Sequence, residues 1–138
     1  LVLAKENARA AGVQDRVQFV SGDLLGPFQP SREAGAFDLI LSNPPYIVRS
    51  EIESLAKEVK SYEPVVALDG GKDGLEFYRS LVSLTPPYLR EGAWLLLEVG
   101  QGQAERVAEQ IRERGTFLEP QVLEDLAGRE RVVKAQKK

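Results

Sequence analysis

Hydrophobic positions along the chain follow two alternating rhythms. Leu1 to Ala10 reads as the middle of a helix, and Gly12 follows as its C-terminal cap. Arg16 to Val20 alternates in the manner of a strand and ends at Ser21-Gly22-Asp23. Gly26 to Gly35 has the Pro/Gly/Ser content of a loop. Phe37 to Ser42 is a short, nearly continuous apolar run, the pattern of a buried parallel strand. Ser50 to Lys60 carries Ile52, Leu55, Ala56 and Val59 at helical spacing, with Ser50 and Glu53 as a capping-box pair. Pro64 to Leu68 and the turn Asp69 to Gly74 interrupt the pattern. Leu75 to Leu89 is again helical, and Pro86 and Pro87 must kink or end it. Ala93 to Val99 reads as a second buried strand closed by Gly100. Gln103 to Arg114 is an amphipathic helix ending at Gly115. Phe117 to Leu123 and Arg131 to Ala135 form two last strands, joined by Glu124 to Glu130 as an antiparallel pair. Strand–helix alternation that closes on a hairpin predicts a doubly wound α/β sheet.

Composition narrows the chemistry. At 138 residues, with 43% hydrophobic and 28% charged positions, the chain is one soluble domain's worth at most. Its net charge of −3 gives no overall attraction to a phosphate backbone. Cysteine and histidine are both absent, which removes disulfides, thiolate nucleophiles, imidazole bases and ordinary zinc sites. No apolar stretch approaches the ~20 residues of a membrane span and no signal-peptide pattern is present, so a cytoplasmic location is expected. Leu1 begins a helix at full stride without an entry signal, which reads as a cut from a longer protein or as a processed terminus.

The candidate chemistry sits where the Phe37–Ser42 run stops, at Asn43-Pro44-Pro45-Tyr46. Two consecutive prolines cannot continue a strand's ladder or begin a helix interior, so a rigid, extended loop must follow the strand. Open α/β sheets bind ligands at the carboxyl edges of their strands. One carboxamide and one aromatic ring at that edge suit a planar group that is stacked and held by its amino end. Asn43 also reads as a turn former, Tyr46 as a packing aromatic, and Asp23 as an N-cap. Glu98 lies late in a buried strand, where an unpaired carboxylate is costly, so it either faces a cleft or bonds backbone amides. Gly100-Gln101-Gly102 reads as a tight turn rather than a phosphate cradle, because the dinucleotide fingerprint's third glycine is missing.

The segment Phe37 to Ile47, centred on Asn43-Pro44-Pro45-Tyr46, resembles the substrate motif of class I S-adenosylmethionine-dependent methyltransferases acting on planar nitrogens. More narrowly, the chain resembles the release-factor glutamine N5-methyltransferase (PrmC/HemK) family. That likeness extends through Glu63 to Leu75, Trp94 to Gly100 and Asp125 to Val133, in family order. The resemblance implies an incomplete Rossmann-like methyltransferase sheet with a C-terminal antiparallel strand pair. It also implies methyl transfer from S-adenosylmethionine to the side-chain amide nitrogen of the glutamine in a peptide chain release factor's Gly-Gly-Gln motif. By that likeness Asn43, Pro44 and Tyr46 are catalytic, and Asn43, Pro44, Pro45 and Tyr46 bind the substrate. Asp23 meets the cofactor's adenine amino group, Leu24 lies beside the ring, and Asn43 completes the cofactor contacts. Neither a metal, nor stable nucleic-acid binding, nor a membrane is implied.

The family further implies that residues 1–138 are the C-terminal portion of a catalytic domain. An N-terminal helical domain, the first two strands and the Gly-rich cofactor loop are then missing. Those two strands belong between Arg16–Val20 and Phe37–Ser42, so the 138 residues alone are expected to form neither a continuous sheet nor an active enzyme. Two other readings stand beside this one. The first is an amino-group methyltransferase acting on adenine N6 or guanine N2 of nucleic acid, and the second is an inactive fragment. The acidic balance and the single Trp94, placed in a buried-strand pattern, speak against nucleic acid. Lys134, Lys137 and Lys138 read as a solvated tail.

Overall fold

A computed structural model describes residues 1–29 and 37–138. Most of the expected Gly26–Gly35 loop therefore lies outside the described residues. The described residues form four helices: α1 (Val2–Ala10), α2 (Lys57–Tyr62), α3 (Glu76–Leu84) and α4 (Ala104–Arg114). Four strands, β1 (Phe37–Ser42), β2 (Leu89–Glu98), β3 (Gln121–Glu124) and β4 (Glu130–Gln136), form one open sheet in the order β1-β2-β4-β3. β1 and β2 run parallel, with Leu39 opposite Trp94 and Ser42 opposite Leu97. β4 pairs antiparallel with both β2 and β3. The fold is thus α/β, with the antiparallel terminal pair that the pattern predicts.

One face of β2 supplies the core. Ala93, Leu95, Leu97 and Val99 are buried against Tyr78, Leu81 and Val82 of α3 and Val107, Ala108 and Ile111 of α4. Full burial of each large aliphatic here is worth about 1.5–3 kcal/mol, enough to decide which face turns inward. α3 stops where its prolines require, with a 3-10 turn over Pro86–Tyr88 leading into β2. α4 ends at Gly115, whose φ of +73° is a left-handed conformation that glycine adopts without a Cβ penalty.

Several expectations need correction. Arg16–Val20 is not a strand: Gln14–Arg16 is a 3-10 turn, and the extended segment beyond it pairs with no strand among the described residues. An extended backbone becomes a strand only when a neighbour takes up its N–H and C=O groups. β1 forms over the predicted residues but is buried on one face only. Ile40 packs on the core, while Leu39 is 50% and Leu41 69% exposed, because β1 is an edge strand and the core helices lie on the sheet's other face.

The Ser50–Lys60 helix is split into a 3-10 turn over Arg49–Ser54 and the separate α2, with no side-chain cap at either start. Leu55 and Ala56 between them are extended, with ψ of 155° and 142°. Trp94 is half-buried, on the side of β2 away from the core, with the Lys134 ammonium 5.1 Å from its ring centroid. The final lysines are no solvated tail. Lys137 Nζ donates to the carbonyls of Pro86 (2.9 Å) and Leu89 (2.7 Å), and Lys138 Nζ donates to that of Gly115 (2.7 Å). Glu98 is half-exposed on the same side of β2 as Trp94, so it escapes the burial cost that its position in the run suggested.

Candidate functional site

The parallel pair β1–β2 brings two strand ends together, and the loop after β1 leaves from that edge. Asn43 is exposed, Pro44 is buried, and Pro45 and Tyr46 are half-buried. With Ile47, Val59, Glu63, Ala67 and Leu68 these four residues line an open hollow of about 500 Å³. The carboxamide of Asn43 therefore stands at a cavity wall and not in the core.

The hollow's geometry is fixed from behind by the segment Glu63–Leu75. Ile47 N–H donates to the Leu68 carbonyl (3.0 Å), Gly70 N–H to that of Ile47 (2.8 Å) and Arg49 N–H to that of Gly71 (2.9 Å). Ile47 and Asp69 thus form a short parallel bridge. Asp69 accepts from Arg49 Nε (2.8 Å) and the Gly71 amide (2.8 Å), and these bonds hold its carboxyl below the usual carboxylate range. Asp73 accepts two bonds from the Arg79 guanidinium, 2.9 and 3.0 Å, and its carboxyl is pulled down to about 2.

Tyr46 both packs and lines. Its ring leans on the core cluster and closes against Gly100, where an added Cβ would stand 2.9 Å from the ring's Cδ2. It also forms part of the wall of a second hollow of about 380 Å³, shared with Asp73, Gly100, Gln103 and Arg106. Close by, the Tyr78 hydroxyl donates to the Glu98 carbonyl at 2.9 Å, and burial first, then the nearby Tyr46, push this phenol's pKa up.

Asp23 and Leu24 lie elsewhere. With Glu76, Phe77 and Ser80 they line a third hollow of about 240 Å³, which shares no lining residue with the first. Asp23 is exposed; Leu24 is half-buried on the core with φ +46°, an uncommon conformation for a branched residue. Two carboxylates, Asp23 and Glu76, stand beside the apolar walls of Leu24 and Phe77, acceptors that suit a purine ring offering an exocyclic amine.

Two residues of these cavities were not among the expected site residues, although Glu63 opens the Glu63–Leu75 block singled out above. Glu63 enters the first hollow from the segment that clamps the loop. Gln103 lies after the Gly100–Gly102 turn, which is the tight turn expected, with Gln103 N–H bonded to the Gly100 carbonyl at 3.1 Å. A glutamine at a helix start looks ordinary in sequence; its importance comes from contacts with distant segments.

Comparisons with known proteins bear on the chemistry. A family model described as "RMKL-like, methyltransferase domain" matches residues 1–61. A release factor glutamine methyltransferase of Geobacter sulfurreducens is 45% identical over 96% of this chain and 44% of that protein. Proteins of the same name from Clostridium botulinum (43% identity, 96% of the chain, 46% of that protein) and a Synechocystis strain (41%, 98% and 44%) are similar to it as well. The chain therefore spans less than half the length of the curated relatives it matches. A solved protein-(glutamine-N5) methyltransferase, release factor-specific, from Alicyclobacillus acidocaldarius is 39% identical over 47% of this chain and 41% of that one, with a TM-score of 0.40. The likeness drawn from the motifs is thus shown in sequence over nearly the whole chain.

Proposed function

We propose that this chain, similar along 96% of its length to a release factor glutamine methyltransferase, is the C-terminal part of such an enzyme's catalytic domain and forms its substrate-side wall. The observation that carries the reading is the hollow at the end of β1, where Asn43, Pro44, Pro45 and Tyr46 stand together.

A carboxamide nitrogen is a poor nucleophile because its lone pair is delocalised into the carbonyl. Reaction needs that lone pair held in line with the incoming carbon at about 3–3.5 Å. The Asn43 side-chain oxygen accepts one N–H of the substrate's amino group, and the Pro44 backbone carbonyl accepts the other. Rigid Pro44–Pro45 geometry sets the direction of that carbonyl. Two acceptors on one NH2 hold the nitrogen still and favour the positive charge that develops on it in the transition state. Tyr46 covers a face of the planar amide. No strong base is required, because the nitrogen becomes far more acidic once methylated, and a chain without histidine suits that scheme.

S-adenosylmethionine, when bound, supplies an electrophilic methyl carbon on a sulfonium. Asp23 would accept from its adenine amine, Leu24 would lie against the ring, and Asn43 would complete the contacts beside the target nitrogen. A protein that modifies release factors works where translation does, which places it in the cytoplasm with a release factor as partner. The relatives named above favour glutamine over a nucleic-acid amino group.

The test offers the complete enzyme S-adenosylmethionine carrying a labelled methyl, with release factor, tRNA and DNA in one mixture, followed by mass spectrometry. Label on a release-factor glutamine is the expected result. Label on a base, or none on the release factor, would overturn the reading.

A further inference from the structure

We propose that Gln103 is a positioning residue for this transfer: its buried carboxamide fixes Tyr46, and with Tyr46 the Asn43–Pro45 grip, relative to the end of β2. The functional half of this inference rests on the glutamine reading of the first hollow.

Gln103 is 9% exposed. Its Nε2 donates to the Tyr46 carbonyl at 2.9 Å and, at longer range, to that of Gly74 at 3.4 Å. Its Oε1 accepts from the Gly100 amide at 3.0 Å, while the Tyr78 hydroxyl, which gives its proton to the Glu98 carbonyl at 2.9 Å, stands 3.5 Å away. A carboxamide nitrogen only donates and its oxygen only accepts, so each end of the group meets a partner of the right kind. The partners also fix which way the amide points. The Tyr46 and Gly74 carbonyls only accept and the Gly100 amide only donates, so the flipped group would set oxygen against two oxygens.

These bonds join three separate loops at the site's edge. Glycines make the slot that the Tyr46 residue fills. A Cβ at Gly70 would stand 2.7 Å from Tyr46 Cα, and one at Gly74 2.6 Å from Tyr46 O. Within that slot the backbone bonds from Leu68 and Gly70 hold Ile47, whereas the Tyr46 carbonyl is held by Gln103. Gln103 occupies the N-cap of α4 yet makes no capping hydrogen bond to that helix. A helix N-cap usually offers its side chain to the helix's own free amides. Here the side chain is turned instead to a residue 57 positions earlier.

Two measurements test the assignment. In the isotopically labelled complete enzyme, nuclear Overhauser contacts should link the Gln103 side-chain amide protons with Tyr46; their absence overturns the proposal. In the complete enzyme, Gln103→Glu keeps the side chain's shape but sets oxygen against the two carbonyls, while Gln103→Met removes the bonds without adding a charge. Compared at equal folded fraction, either variant should lower kcat by about 10²-fold, the scale expected for a small misplacement of reacting groups. Affinity for S-adenosylmethionine should stay unchanged. Lost thermal stability with kcat intact would show a merely structural residue and overturn the proposal. Should the wild-type enzyme leave release factor unmethylated, the glutamine reading falls, and the Overhauser contacts still decide the Gln103–Tyr46 link by themselves.

Discussion

Arg49 Nε lies 2.8 Å from Asp69 Oδ2, and this ion pair ties the chain just beyond the Asn43–Tyr46 loop to the Glu63–Leu75 segment. The two residues are 20 positions apart, and each belongs to the short parallel arrangement that holds Ile47 in place. The floor of the first hollow is thus held partly by charge and partly by backbone bonds.

Acid should loosen that floor. Asp69 is depressed first by its hydrogen bond from Arg49, then by the Gly71 amide, and Asp73 is brought to about 2, chiefly by Arg79. A carboxyl with a lowered folded-state pKa contributes stability that is fully present above the ordinary value of 3.8 and disappears as pH falls through the folded value. Urea midpoints should therefore drop between about pH 4 and 2, and less so in high salt, since these pairs lie at the surface. Flat midpoints across that range would contradict the ion-pair assignment.

Gly70→Ala should be destabilising. The new Cβ would meet Tyr46 Cα and C at 2.7 Å and Gly74 Cα at 2.9 Å, all backbone atoms with no rotamer to escape through. Overpacking of this kind costs about 1–3 kcal/mol. The shift of Tyr46 should lower methyl transfer as well. A variant as stable and as active as wild type would show that the slot has slack.

Asn43→Ala removes one of the two oxygens proposed to hold the target nitrogen. Loss of a single transition-state hydrogen-bond partner costs on the order of 10²-fold in rate, and that is the expected fall in kcat for the complete enzyme. An unchanged rate would return Asn43 to the role of a turn former.

Tyr46→Ala should weaken engagement of the release factor more than that of the cofactor. The ring lines the first hollow, while Asp23 and Leu24 line another. Titration of each ligand separately decides the point, and equal losses in both would argue that Tyr46 only supports packing.

Much of the fold was legible because its signals are local. Phe37–Ser42 ends at prolines and α4 at Gly115, and both formed where the pattern placed them; the last two strands flank their turn as expected, but β3 begins only at Gln121, with Phe117 left in an isolated bridge to Lys137. Arg16–Val20 has a strand's alternation, but pairing needs a neighbour that no five-residue pattern contains. The break at Leu55 and Ala56 left no Gly or Pro to announce it. Lys137 and Gln103 were illegible for one reason: their partners, Pro86, Leu89, Tyr46 and Gly74, lie far away in sequence. In the site itself the four residues after β1 and the Glu63–Leu75 block could be found, whereas the bonds by which that block clamps the loop could not.

The most direct measurement is a crystal structure of the complete enzyme with a peptide carrying Gly-Gly-Gln. The glutamine Nε2 should lie within about 3 Å of both Asn43 Oδ1 and the Pro44 carbonyl oxygen, as hydrogen bonds to each require. A glutamine amide seated outside the hollow, or turned so that neither oxygen meets its nitrogen, would contradict the two-acceptor grip.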